Sequence, residues 1–150
     1  MTCFTIQAQK TKVKDLALSA GHWEGTLTYL DYSTAKPYTM AAKLQVALTK
    51  DKKGYIMSFA YPKEPHANAL DTTYIQNNFF GNESIISFSQ QGKKGFDLIT
   101  EKEGEDGNEH QKAQIRHRYC YTGKSFKIIK EVKFLGTDRW IKRNEYAFER

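Results

Sequence analysis

The stretch Gly21–Tyr32, which reads GHWEGTLTYLDY, decides the predicted fold. It places glycine, tryptophan and glycine at alternate positions and then continues as an alternation of apolar and polar residues. A period of two is typical of a strand that buries one face. We therefore expect Trp23 to point into the core from the first strand of a sheet. The residues that share its parity are Gly25, Leu27, Tyr29 and Asp31.

Segments typical of strands succeed one another after this stretch. Short turns rich in glycine, lysine, aspartate or asparagine separate about nine of them, which indicates antiparallel neighbours. Before them, Lys10–Ala20 has apolar residues near helical spacing and predicts one or two helical turns. We assign Asn77–Glu83 and the acidic segment Lys102–Glu109 to loops. The predicted strands are Thr26–Tyr32, Tyr38–Leu48, Tyr55–Tyr61, Asp71–Gln76, Ser84–Ser89, Phe96–Glu101, Lys112–Tyr121, Ser125–Phe134 and Arg139–Phe148.

A meander of this length must protect its two edge strands, and closure into a barrel removes them. The sequence therefore predicts an all-β, antiparallel up-and-down β-barrel of about eight to ten strands with a short N-terminal helix. We expect residues 10–150 to form this barrel as a single domain. A two-sheet sandwich is the alternative, but it requires longer crossing connections, and only Pro62–Leu70 offers one.

Composition supports the all-β assignment. Of the 150 residues, 39% are hydrophobic and 13% aromatic, which suits half-buried pleated surfaces. The net charge of +6 invites a nucleic-acid function, but the lysines gather in predicted turns, so we do not expect a nucleic-acid partner. The sequence contains no run of about 18 or more apolar residues, so it predicts no membrane-spanning helix. Cys3 and Cys120 show no spacing that indicates a structural disulfide.

Residues 1–9 require a separate interpretation. Thr2–Gln9 resembles the end of a secretory signal peptide, with Ile6–Ala8 as a triplet typical of a cleavage site. The basic and long apolar regions of a complete signal are missing from this segment. We expect a secreted or periplasmic protein, and the alternative is an ordinary flexible start of a cytoplasmic one.

Parity on the later strands predicts a lumen that is apolar and aromatic but contains a few polar groups. Lys130 and Lys142 fall on inward faces, and Asp31 is the nearest carboxylate by this assignment. Either these lysines lie in water at the barrel mouth, or they line a wet pocket for an anionic head group. The predicted ligand-binding residues are Tyr29, Met57, Phe59, His117, Tyr119, Tyr121, Lys130, Trp140, Asn144 and Tyr146.

His117 is the best single candidate for acid–base chemistry, because its parity points inward and Tyr119 lies on the same face. The alternative is a core histidine that is hydrogen-bonded to a tyrosine hydroxyl. The sequence lacks G-x-S-x-G, H-E-x-x-H and paired-cysteine spacings, so we assign no catalytic and no metal-binding residue.

Gly21-x-Trp23 near the start of a long meander resembles the calycin superfamily of lipocalins, fatty-acid-binding proteins and nitrobindin-like proteins. The resemblance implies that Trp23 closes one end of the barrel and that a basic residue of the last strand, Lys142 or Arg143, lies across its ring. The extended form Gly21-x-Trp23-x-Gly25 resembles the nitrobindin branch, whose members hold haem, and in a haem-binding barrel His117 would be the axial ligand. Three family patterns do not match: Leu27 stands where the nitrobindin pattern continues with glycine, no histidine follows His117, and the Arg-x-Tyr pair of fatty-acid-binding proteins is missing.

Together these features predict a protein that binds a small hydrophobic or amphipathic ligand in a barrel lumen. The alternatives are an enzyme of the isomerase, cyclase or lyase class that acts on a hydrophobic molecule in the same lumen, or a haem-binding barrel.

Overall fold

The computed structural model describes residues 11–150, which form an antiparallel all-β barrel of ten strands. The strands follow each other around the barrel in the order β1-β10-β9-β8-β7-β6-β5-β4-β3-β2. The predicted barrel is confirmed, and the sandwich alternative is wrong. The predicted leader, residues 1–9, lies outside the described residues. Within residues 11–150, no helix has the length and apolar character needed to cross a membrane.

A short helix, α1 (Val13–Leu16), and a 3₁₀ turn (Ala17–Ser19) precede the barrel, as the spacing in Lys10–Ala20 predicts. A second 3₁₀ turn (Pro65–Ala67) lies between β3 and β4. The strands are β1 (Gly21–Asp31), β2 (Lys36–Leu48), β3 (Gly54–Ala60), β4 (Ala69–Gln76), β5 (Phe79–Phe80), β6 (Glu83–Gln90), β7 (Phe96–Asp106), β8 (Gln111–Tyr121), β9 (Ser125–Phe134) and β10 (Ile141–Glu149).

One end of the barrel is closed by Trp23, which is fully buried. Its indole Nε1 donates a hydrogen bond to the Ser19 carbonyl oxygen at 2.8 Å, so the helical lead is fixed beneath the ring. The rings of Tyr121 and Phe126 lie 6.0 and 5.7 Å from the indole, centroid to centroid. The closed end is therefore a packed aromatic plug that is tied to the segment before β1.

Gly25 explains why the signature continues with a second glycine. A Cβ atom built at this position would meet the Ala147 carbonyl oxygen of β10 at 1.9 Å. No side chain fits at that separation, so the close crossing of β1 and β10 requires glycine here.

The cation that lies over the indole is Arg150 and not Lys142 or Arg143, so that expectation is wrong. The Arg150 guanidinium carbon lies 4.3 Å from the Trp23 ring centroid, and its nitrogens donate to the carbonyl oxygens of Leu18, Ala20 and Gly123. Both expected residues lie toward the opposite end of β10, because β10 runs antiparallel to β1 and begins far from Trp23.

A β-bulge in β10 changes which residues of this strand face inward. Lys142 pairs with Glu131 and Asn144 with Lys130, so Arg143 is the extra residue. Lys142 therefore faces solvent and forms an ion pair with Glu145 at 2.6 Å. The parity that placed Lys142 on the same face as Asn144 and Tyr146 fails at this bulge.

Two predicted loops contain strands. Phe79–Phe80 forms the short strand β5, and β7 continues through the acidic segment as far as Asp106. Glu103 and Glu105 fit a strand here because they alternate to the exposed outer face, as does Glu101, which pairs with Arg116 of β8 at 2.8 Å. Composition alone therefore underestimated the length of this hairpin.

The barrel wall has a gap between β4 and β7 on the side away from Trp23. In the described chain, β6 pairs with β7 only from Glu101 back to Phe96, and β4 reaches β5 only through Ile75 and Gln76. Residues 69–73 of β4 and 102–106 of β7 thus have a ladder partner on one side only. The lumen is open to solvent there.

The Arg150 contacts predict a measurable loss of stability when this side chain is removed. We expect Arg150→Met to lower the free energy of unfolding by about 1–2 kcal/mol, since it removes a cation–π contact and exposed hydrogen bonds to backbone carbonyls. Arg150→Lys retains the charge and loses the guanidinium fork, so about half of that loss is expected. Urea denaturation measures both, with the exposed Arg139→Met as the control. A change below about 0.5 kcal/mol for Arg150→Met would contradict this assignment.

Candidate ligand site in the barrel lumen

A cavity of about 230 Å³ lies in the lumen between the Trp23 plug and the open side. Ala69 and Asp71 of β4 line it and are themselves exposed, so the cavity opens at the gap beside β4. Since an apolar cavity of about 150 Å³ accommodates benzene, this volume suits a ring with a short substituent. The lining residues are Met57, Phe59, Tyr61, Ala69, Asp71, His117, Tyr119, Ile128, Lys130, Asn144 and Tyr146.

Aromatic side chains form one wall of the cavity. The rings of Phe59 and Tyr146 lie 4.9 Å apart, and the hydroxyls of Tyr61 and Tyr146 are hydrogen-bonded at 2.5 Å. Met57 and Ile128 complete the apolar part and are both buried. This wall offers flat, rigid surfaces on which an apolar ligand body packs.

The polar wall is centred on His117. Its Nδ1 lies 2.7 Å from Oε1 of Glu83, the first residue of β6. Thr100 of β7, which is fully buried, donates its hydroxyl proton to the same oxygen at 3.1 Å. Three strands thus place a histidine, a carboxylate and a hydroxyl in one chain of hydrogen bonds beside the cavity.

The Glu83 carboxyl is held in its ionised form. Burial raises its pKa, but the hydrogen bond and positive charge of His117, the charge of Lys102 and the Thr100 hydroxyl outweigh burial, so the pKa lies below its ordinary value. An ionised carboxylate only accepts hydrogen bonds, so Nδ1 of His117 is the protonated nitrogen. In the neutral ring, Nε2 then carries the lone pair.

Tyr119 lies two residues after His117 on the same face of β8. Burial, and then the negative charge of Glu83, raise the pKa of Tyr119, so its hydroxyl remains a proton donor at neutral pH. Among residues 11–150, no side chain or backbone group hydrogen-bonds to this hydroxyl.

A cluster of charges at the barrel mouth is centred on Asp106. Lys130 donates to its Oδ1 at 2.8 Å, the Tyr32 hydroxyl donates to its Oδ2 at 2.7 Å, and Arg143 lies 3.5 Å from Oδ2. The Arg143 guanidinium also lies 4.1 Å above the Tyr32 ring. Asp31, the expected partner of the lumenal lysines, instead bonds Ser33 at the end of β1.

The structure brings most of the predicted site residues together. Tyr29 packs on Tyr38 outside the cavity lining, and Tyr121 belongs to the Trp23 plug. Trp140 lies on the outer face of the barrel, where the Arg116 guanidinium covers its ring at 3.9 Å, so its predicted inward position is wrong. It precedes both β10 and the bulge, and strand parity therefore does not apply to it. The predicted residues that line the cavity are Met57, Phe59, His117, Tyr119, Lys130, Asn144 and Tyr146.

Sequence reasoning missed Glu83, Thr100 and Asp71. The sequence assigns Glu83 to a loop, but β5 turns the chain back into the sheet and brings the Glu83 side chain to His117. Thr100 shares the parity of Phe96 and Leu98, so extending that inward face by one step would have identified it. Asp71 is the first residue of a predicted strand. Its place at the cavity depends on the gap beside β4, and no local sequence pattern indicates that gap.

A porphyrin does not fit this lumen. Pockets for drug-sized ligands span about 300–1,000 Å³, a porphyrin is larger than most such ligands, and this cavity measures about 230 Å³. In the described part of the chain, no three His, Cys, Asp or Glu side chains are placed to hold a metal ion together.

Comparison with solved structures finds matches of similar fold, among them a protein of unknown function. A crystal structure of a protein of unknown function from the DUF3598 family of Nostoc punctiforme superposes with a TM-score of 0.45 at 10% identity. The superposition covers 93% of this chain and 49% of the neighbour, so this chain spans about half the length of that protein. No family model and no curated protein matches the sequence.

The cluster of charges around Asp106 predicts how the free energy of unfolding depends on pH. Burial raises the pKa of Asp106, but the Lys130 and Tyr32 hydrogen bonds and the charges of Lys130 and Arg143 hold it below its ordinary value of 3.8. The carboxylate therefore stabilises the fold near neutral pH, and this contribution is lost as the pH falls through that lowered pKa.

We expect Asp106→Asn to lower the free energy of unfolding at pH 7 by about 2 kcal/mol, because two cations lose their shared partner. The difference from the unmodified chain should shrink as the pH falls below about 4, because the unfolded carboxyl protonates near 3.8 and the folded one only at lower pH. Chemical denaturation across this range measures it, with the exposed Asp138→Asn as the matched control. A pH-independent difference would contradict the ion-pair assignment.

Proposed function

We propose that this protein binds a small amphipathic molecule in the barrel lumen. The observation that carries the proposal is the cavity of about 230 Å³, which has an aromatic wall on one side and polar groups on the other. An apolar enclosure with a few convergent polar groups is the usual form of a small-ligand site. The ligand body packs between Phe59, Tyr146 and Ile128, and its polar end lies near His117 and Asn144.

The size of the cavity limits the ligand. By comparison with benzene in about 150 Å³, a volume of about 230 Å³ holds a ring with a substituent of a few atoms. A fatty acid of ordinary chain length exceeds that volume. The ligand is therefore compact, and its affinity comes mainly from aromatic burial at about 25 cal/mol per Å² before the costs of association.

The charges of the lumen disfavour an anionic head group. Lys130 and Arg143 are the cations nearest the mouth, and both are paired with Asp106. Asp71, which lines the cavity, and Glu83, which is bonded to His117, add negative charge. A neutral polar group, such as a carbonyl or hydroxyl, meets these surroundings at the lowest desolvation cost.

We also infer that the barrel is of the calycin type. Support comes from the arrangement of Trp23 on β1, with Arg150 from the residue after β10 across its ring and the 3₁₀ turn Ala17–Ser19 beneath it. This is the arrangement that the Gly21-x-Trp23 resemblance implies, except that the cation is a different residue.

The proposal is tested by blocking the opening from within. Ala69 faces the lumen opposite Phe59, whereas its neighbour Leu70 points outward and is 70% exposed. We expect Ala69→Trp to abolish binding of a compact bicyclic probe, indole, because the new side chain fills the entrance. Leu70→Trp adds the same group outside and should leave the affinity unchanged within about twofold.

Isothermal titration and backbone-amide NMR shifts provide the measurements. Indole should bind the unmodified chain and shift resonances of Phe59, Tyr119 and Tyr146 most strongly. Equal indole binding by both tryptophan variants, or shifts confined to the outer face, would overturn a lumenal site.

A further inference from the structure

The lumen contains an oriented histidine that simple ligand binding does not explain. Glu83, Thr100 and His117 are far apart in sequence, and their side chains converge from β6, β7 and β8. His117 and Glu83 are largely removed from solvent, with side-chain exposures of 20% and 12%. Burying an ionised carboxylate is costly unless it is hydrogen-bonded. The hydrogen bonds of Glu83 to Thr100 and His117 therefore hold the Glu83–His117 pair in one arrangement.

The orientation of the imidazole makes Nε2 the reactive atom. Nδ1 is protonated and donates to Glu83, so the neutral ring has its lone pair on Nε2. In the described residues, no protein group hydrogen-bonds to Nε2, and the ring lines the cavity. A histidine held in one tautomer by a carboxylate is the usual geometry of a general base.

Two donors lie on the same side of the cavity. Tyr119 carries a protonated hydroxyl without a described partner, and Lys130 lies directly across the ladder from His117. Either donor is suited to stabilise negative charge on a ligand oxygen. Lys130 is already bonded to Asp106 at 2.8 Å, so Tyr119 is the free donor of the two.

We propose that His117 acts as a general base on a small, apolar, unsaturated ketone and that the lumen isomerises its double bond. This inference rests on the proposed function, since the substrate occupies the same cavity. Tyr119 donates to the carbonyl oxygen, and Glu83 positions the imidazole and stabilises the imidazolium that forms.

The proton and electron balance needs no further reactant. Nε2 removes a proton from the carbon between the ketone and the double bond, and the electron pair of that C–H bond forms a dienolate with its charge on oxygen. The Tyr119 hydroxyl stabilises this charge by hydrogen bonding. The Nε2 proton then returns to the far carbon of the former double bond, which regenerates the ketone in conjugation with the new double bond.

Glu83→Gln tests the positioning role of the carboxylate. The amide oxygen of glutamine still accepts a hydrogen bond from Nδ1 of His117, but the charge that stabilises the imidazolium is lost. We expect kcat to fall about 10–100-fold with little change in KM.

The experiment uses 3-cyclohexen-1-one, a ketone that the cavity volume admits. The conjugated product is followed by ultraviolet absorbance, and exchange of the α hydrogens in D₂O is followed by NMR. We expect His117→Gln, which retains a donor to Glu83, and His117→Ala to lower the rate at least 100-fold. Tyr119→Phe should lower kcat about 100-fold with little change in KM. The exposed His66→Ala should leave both unchanged.

Binding of the same ketone separates the two proposals. If it shifts lumen resonances but neither exchanges nor isomerises faster than with His117→Gln, the general-base assignment is overturned and the binding site stands. If it does not bind, and Ala69→Trp changes nothing, both proposals are overturned. Isomerisation that Ala69→Trp and His117→Gln each abolish supports both.

Discussion

The close crossing of β1 and β10 at Gly25 is the constraint on which the rest of the structure depends. With the Ala147 carbonyl oxygen within 1.9 Å of where a Cβ would stand, the two strands meet too closely for any side chain between them. Their approach joins the first and last strands of the sheet and closes the barrel. It also brings Arg150 over the Trp23 ring, so that chain closure and the end plug are formed by the same contact. The barrel is therefore densely packed around Trp23, and the lumenal cavity lies toward the other end.

Charges in the lumen are arranged in separate groups. Asp106 binds Lys130 and Arg143 at the mouth, while Glu83 binds His117 deeper in the barrel. Each carboxylate offsets the cost of burying its basic partner, because an unpaired charge in such surroundings is strongly unfavourable. Lys130 and Arg143 share the single Asp106 carboxylate, so both side chains are held at the mouth. Within residues 11–150, Nε2 of His117 and the Tyr119 hydroxyl have no hydrogen-bond partner, and the proposed isomerisation uses these two groups.

How far the sequence predicts this structure depends on the range over which each signal acts. Strand parity is local, and it correctly places Phe59, His117 and Tyr119 on inward faces. It fails at Lys142 because a bulge inserts one residue, and no pattern in the sequence marks that insertion. Composition fails for the acidic segment of β7, where Glu103 and Glu105 alternate to the exposed face and Asp106 pairs with Lys130 of β9. The roles of Arg150 and Glu83 come from contacts that form only when the barrel closes, with Trp23 and His117 respectively. The sequence pattern of a single strand does not indicate these contacts.

The gap beside β4 and the histidine pair have a common structural origin. The two-residue strand β5 returns the chain only part of the way up the wall, so β6 begins at Glu83, level with the middle of β7. Above that level β4 and β7 are not joined, which opens the lumen. At that level Glu83 is the first residue of the strand, and its side chain turns inward to His117. A longer β5 would close the entrance and would place a different residue opposite His117. The short strand that sequence patterns assign to a loop is therefore the element that creates both the access to the site and its carboxylate.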